Sequence, residues 1–102
     1  MHYFITAYDG KDDEASARRL KVREEHLEGV KKLIKAGNFL YGAAILDDDG
    51  KMIGSMMILD YESREMLDEW LKIEPYVVGD VWRDIEIKPC KVADFILDKN
   101  LI

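Results

Sequence analysis

The chain has 102 residues, 48% hydrophobic and 35% charged, enough for one globular domain, too apolar for disorder and too charged for a bilayer. Its net charge of -6 and sequence pI near 4.9 oppose nucleic-acid binding, because an acidic surface repels a phosphate backbone. The single cysteine, Cys90, excludes an intrachain disulfide. With no secretory leader at Met1 to Tyr8 and no apolar run of spanning length, it points to the cytoplasm and away from membranes.

His2 to Tyr8 is rich in aromatic and β-branched residues and predicts a first strand, followed by the acidic loop Asp9 to Asp13. A helix is expected from about Asp13 to about Ala36. Acids stand at its entrance, while Lys31, Lys32 and Lys35 before Gly37-Asn38 suit the negative end of its dipole. Leu20, Leu27, Val30 and Ile34 form its apolar stripe, widened by Val22 and Leu33, with Arg23 inside the stripe and His26 beside it. Phe39 to Leu46 and Met52 to Asp60 predict a hairpin, turned by the charged tip Asp47-Asp48-Asp49-Gly50-Lys51. Ser63 caps a second helix to Ile73, with Met66, Leu67, Trp70 and Leu71 on one face, and Pro75 ends it near Glu74. Val77 to Lys88 predicts the last strand, in which Trp82 breaks the alternation. The tail, Val92 to Ile102, is a C-terminal extension to a single domain spanning 1–102, and its Phe95-Ile96-Leu97 segment is too short to assign.

The order strand, helix, strand, strand, helix, strand is the α+β, ferredoxin-like arrangement, with both helices on one face of an antiparallel sheet. The other face should then alternate with polar residues if it meets water. Phe39-Leu40-Tyr41, Ala43-Ala44-Ile45-Leu46 and Met56-Met57-Ile58-Leu59 are apolar at both parities, so a second copy is expected on that face, forming a homodimer.

Arg19-Leu20-Lys21-Val22-Arg23-Glu24-Glu25-His26-Leu27, then Gly54-Ser55, then Trp70 with Glu74-Pro75-Tyr76, then Ile87-Lys88-Pro89 make up a series that resembles the YCII-related family of dimeric α+β-barrel proteins. The resemblance runs to about Lys91. It implies a fold similar to muconolactone isomerase and small ferredoxin-like monooxygenases, in a family that includes a dehydrochlorinase of chlorinated hydroxyquinones. It also implies a site pairing the helix histidine, matched by His26, with the aspartate of an Asp-Pro-aromatic motif, matched by Glu74. Glu74 departs from that aspartate, and Ala43 stands where many members have a Gly-Pro step.

Read chemically, a carboxylate on one ring nitrogen of His26 would fix its tautomer and leave the other nitrogen for proton transfer next to a carbonyl. The catalytic candidates are therefore His26 and Glu74. Arg23, Ser55 and Tyr76 are ligand-binding candidates for a small acidic or phenolic ligand, and Arg23 has Glu74 or Asp80 as alternative partners. His2 and His26 are too few for a zinc site, the aspartate run lacks calcium-loop spacing, and no phosphate loop or dinucleotide fingerprint occurs. No cofactor or metal is expected. The leading expectation is a lyase or isomerase using acid/base proton transfer; the alternative is a non-catalytic dimer that binds a small ligand or serves as an accessory module.

Overall fold

The computed structural model describes residues 1–98, and the last four positions of the expected tail lie outside it. Strand β1 (His2–Asp9) leads to helix α1 (Ala15–Ala36), the hairpin strands β2 (Phe39–Leu46) and β3 (Met52–Asp60), and helix α2 (Arg64–Leu71). A single helical turn, α3 (Pro75–Val78), precedes β4 (Trp82–Cys90), and a second, α4 (Asp94–Leu97), closes the described chain. The four strands form one antiparallel sheet in the order β2-β3-β1-β4. This is the expected ferredoxin-like arrangement, with β2 and β4 at the edges. Among the described residues no helix is long and apolar enough to cross a membrane.

Cross-strand partners share a face, so the register identifies the core side. Tyr3, Ile5 and Ala7 lie opposite Leu59, Met57 and Ser55. Tyr3, Ile5, Ala7, Met57 and Leu59 pack with Leu67 and Trp70 of α2 and Tyr76 of α3, backed by Val22 and Leu33 of α1. Ile5, Leu59 and Leu67 are fully buried, each removing about 1.5–3 kcal/mol worth of apolar surface from water. The opposite parity, Phe4, Thr6, Met56 and Ile58, is only half-buried. The tail reaches this open face, where the Val92 amide donates to Nδ1 of His2 at 3.0 Å and the Tyr41 hydroxyl donates to the Ile96 carbonyl at 3.4 Å.

The ends of the elements follow local chemistry. Gly37, at φ 81°, ends α1, and the Asn38 amide returns to the Leu33 carbonyl at 2.9 Å. Ser63 caps α2 by accepting from the Met66 amide at 3.3 Å. Residues Val77 to Val81 are not strand, contrary to the expectation from their β-branched side chains. Pro75 supplies the backbone angle of a helix start and Glu74 caps it. Asp80, at φ 58°, then turns the chain before Trp82 opens β4.

The apolar stripe expected on α1 is also corrected. Leu20 and Ile34 are 65% and 55% exposed, whereas the buried residues of α1 are Ala15, Arg19 and His26. The helix turns a partly polar side inward because both polar groups find partners there.

Candidate active site

Arg19 and His26 lie two turns apart on the inner side of α1, and each meets a carboxylate from another element. His26 Nδ1 is 2.5 Å from Oε1 of Glu74, with both residues buried. A carboxylate only accepts, so Nδ1 carries the proton in this pair and Nε2 of the neutral ring keeps its lone pair. The same Glu74 oxygen accepts the Tyr76 amide at 3.1 Å, so the partner of the histidine is held by the start of α3.

Arg19, 4% exposed, directs Nη1 at both oxygens of Asp9, at 2.9 and 3.0 Å, and donates from Nη2 to the Ser55 hydroxyl at 3.0 Å. Ser55 also accepts from Nε1 of Trp82 at 3.3 Å. Asp9 sits where the β1–β4 register shifts, opposite Trp82. Burial pushes the Asp9 carboxyl above its ordinary range, against the lowering effect of the Arg19 hydrogen bond and charge. Arg19 Nε is buried without a hydrogen-bond partner among the described residues.

Tyr76 joins the two pairs. Its ring stacks on His26 with centroids 4.0 Å apart and planes 16° apart, and the Arg19 guanidinium carbon lies 4.7 Å from its centroid. Seven helical residues rise by about 10 Å, which leaves room for one ring between Arg19 and His26. Trp82 meets both rings edge-on.

A cavity of about 230 Å³ opens between α1 and strands β2 and β3, with Arg19, Arg23, His26, Ser55 and Tyr76 among its walls. The space suits one six-membered ring with substituents. Phe39 forms part of the wall, its ring pressed against Gly42 so closely that a Cβ there would lie 2.3 Å from Cζ. A larger groove, about 640 Å³, runs between α1 and the α2–α3 region, walled largely by exposed lysines and glutamates. It gathers no comparable set of buried polar groups.

All five residues singled out from sequence therefore fall at one place, with Glu74 behind His26. Arg23 differs from expectation in one respect: it is exposed at the cavity wall and has no ion pair among the described residues, since Glu74 faces His26 and Asp80 pairs with Arg83. Sequence reasoning missed Asp9, Arg19 and Trp82. The seven-residue spacing of Arg19 and His26 was an available signal, because it puts both on one helix face.

The YCII-related domain matches residues 1–91. The chain belongs to the YCII-related family. Protein YciI of Escherichia coli O6:H1 is 33% identical over 97 residues, covering 89% of this chain and 97% of its own length. An uncharacterized protein of Haemophilus influenzae is 34% identical over 98 residues, with the same coverage. Among solved structures, this YCII-related chain resembles TftG, the 5-chloro-2-hydroxyhydroquinone dehydrochlorinase of Burkholderia phenoliruptrix, in complex with 2,5-dihydroxybenzoquinone. The TM-score is 0.78 at 21% identity, over 93% of this chain and 98% of TftG. An antibiotic biosynthesis monooxygenase shares the fold at a TM-score of 0.52 and 17% identity, over 91% of this chain and 99% of its own. At these identities the likeness is one of fold.

Proposed function

We propose that this protein is a lyase or isomerase that moves a proton on a small carbonyl-bearing or phenolic acid, with His26 as general acid/base, Glu74 orienting it and Arg23 attracting the acid. One observation carries the reading: Nδ1 of His26 is tied to a buried carboxylate at 2.5 Å, while Nε2 has no hydrogen-bond partner among the described residues and the ring lines the cavity. Glu74 favours imidazolium once Nε2 has taken a proton, and the stacked Tyr76 ring limits rotation of the imidazole. The unpaired guanidinium of Arg23 at the wall supports an anionic ligand. The hydroxyquinone chemistry named for TftG suggests the first compounds to assay.

Turnover of a panel of chlorinated and unchlorinated hydroxyquinones tests the dyad. His26→Gln and Glu74→Gln should each lower kcat by roughly 10²–10⁴-fold, and the double variant should lose little more than the worse single one. Glutamine at position 74 retains an oxygen for the Tyr76 amide, so folding should persist. Additive losses would separate the two residues; absence of turnover together with retained binding would favour the non-catalytic, ligand-binding alternative.

We also propose that a second copy covers the open sheet face, because the half-buried Phe4, Met56 and Ile58 lie there. Sedimentation at low micromolar concentration should return twice 11.8 kDa. Met56→Asp should yield a folded monomer, whereas Met57→Asp, a change on the 2% exposed core side, should unfold the protomer. A wild-type monomer would overturn the dimer.

A further inference from the structure

The hydrogen-bonding capacity of the cavity walls narrows the ligand further than the dyad does. A serine hydroxyl has two acceptor sites and one donor. The two sites of Ser55 are taken by Nη2 of Arg19 at 3.0 Å and Nε1 of Trp82 at 3.3 Å. Its proton therefore has to point elsewhere, and Ser55, 5% exposed, lines the cavity. The Tyr76 hydroxyl has no hydrogen-bond partner among the described residues, in a side chain that is 1% exposed and lines the same cavity.

The acceptors are accounted for differently. The Asp9 carboxylate is taken by Arg19 and one oxygen of Glu74 by His26 and the Tyr76 amide. Among the side chains that carry the proposed chemistry, this leaves Nε2 of His26 as the acceptor at the wall. Burial raises the Tyr76 phenol above its ordinary value, although Arg19 and Arg23 pull it down. The phenol therefore keeps its proton and is available as a donor.

We infer that Ser55 and Tyr76 donate hydrogen bonds to ligand oxygens, so that the cavity selects a one-ring ligand carrying ionised or strongly accepting oxygens and a single proton for His26. Arg19 acts as a positioning residue, because its bond to Ser55 commits that hydroxyl to donation. The inference rests on the proposed proton transfer and gives it an oxyanion site. When Nε2 of His26 takes a proton from carbon next to a carbonyl, the C–H electron pair becomes the carbon–carbon double bond of an enolate. The carbonyl π pair moves onto oxygen, where the hydroxyls donate to it and keep their own protons. In a substrate with a β,γ double bond this enolate is a dienolate: His26 returns its proton to the γ carbon, the β,γ π pair forms the new C–H bond, the double bond shifts to the α,β position and the oxygen pair re-forms the carbonyl, which completes an isomerisation without another reactant.

The probe is 4-nitrophenol, whose absorbance reports its ionisation, with 4-nitroanisole as the methylated control. The wild-type protein should bind the phenolate in preference to the anisole and lower the probe's apparent pKa. Tyr76→Phe and Ser55→Ala should each weaken phenolate binding by roughly ten- to a hundred-fold, the range for hydrogen bonds to a charged group. Both should shift the bound probe back towards its free pKa. Ser55→Thr, which retains the hydroxyl, should recover most of the binding even if Ser55→Ala folds poorly.

Equal phenolate affinity in wild type, Tyr76→Phe and Ser55→Thr, with no change in pKa, would overturn the hydroxyl assignment. So would equal binding of phenolate and anisole by the wild type, or no binding of either. None of these results touches the dyad, which stands or falls on the kinetics of the His26 and Glu74 variants.

Discussion

Arg18 and Arg19 are adjacent in sequence and each pairs with an aspartate from the stretch just before α1, yet they do different work. Arg18 reaches Asp12 with bonds of 2.8 and 2.6 Å on the surface, and its Nε donates to the Asp80 carbonyl at 3.2 Å. Arg83 bonds Asp80 at 2.8 Å and lies 3.7 Å from Asp12, so four charges clamp the start of α1 to the turn before β4. Arg19, one residue and about 100° further round the helix, makes its pair inside the protein, with Nη1 shared between the two Asp9 oxygens. The shorter bonds belong to the outer pair, but the inner pair controls the site, because only there does removing one partner strand the other without water.

The largest effect should come from breaking the inner pair. Arg19→Ala leaves a buried carboxylate and should cost about 3–5 kcal/mol, read from the urea midpoint. Replacing both partners, Asp9→Leu with Arg19→Met, should recover most of that stability while phenolate binding stays weak, because Ser55 has lost the donor that orients it. A double variant no more stable than Arg19→Ala would make the pair itself a foundation of the fold.

The outer pair should yield the smallest effect, visible only in acid. Arg18 holds Asp12 below its ordinary value of 3.8. Its stabilising contribution is therefore present above pH 3.8 and is lost as pH falls through the depressed folded value. Asp12→Asn should lie near wild type in salt at neutral pH, through screening, and should show less acid-induced loss of stability below that point. Asp9 works in the opposite sense: its raised folded value removes stability as pH rises above 3.8. Matched slopes for Asn variants at the two positions would erase the distinction between the pairs.

The fold was legible because strand and helix periods differ and turn residues mark the junctions. Gly37-Asn38, the Asp47–Lys51 tip and Ser63 all act where their chemistry suggested. The inner side of α1 was not legible in the same way. Leu20, Leu27 and Ile34 form a row of seven-residue spacing, and Arg19, His26 and Leu33 form another, displaced by one residue. Hydrophobicity favours the first row, but Asp9 and Glu74 draw in the second, and both carboxylates lie outside the helix, at the end of β1 and at the start of α3. Glu74 and His26 were paired through the family pattern. Arg19 is not legible in the sequence because its partner, Asp9, has the pattern of an ordinary loop acid. Val77 to Val81 misled through their strand preference, which a proline start and a carboxylate cap overrode.

Gly42 gives this architecture a route to new ligands. A methyl group at that position would collide with the end of the Phe39 ring rather than with backbone, so the ring can yield while the strand stays in place. Phe39 is a wall of the cavity, and its displacement would reshape the cavity without replacing any charged or hydrogen-bonding group. Heritable change in ligand size can thus arise at a cavity-wall residue that carries no side chain of its own, leaving the residues of the proposed chemistry available to each descendant.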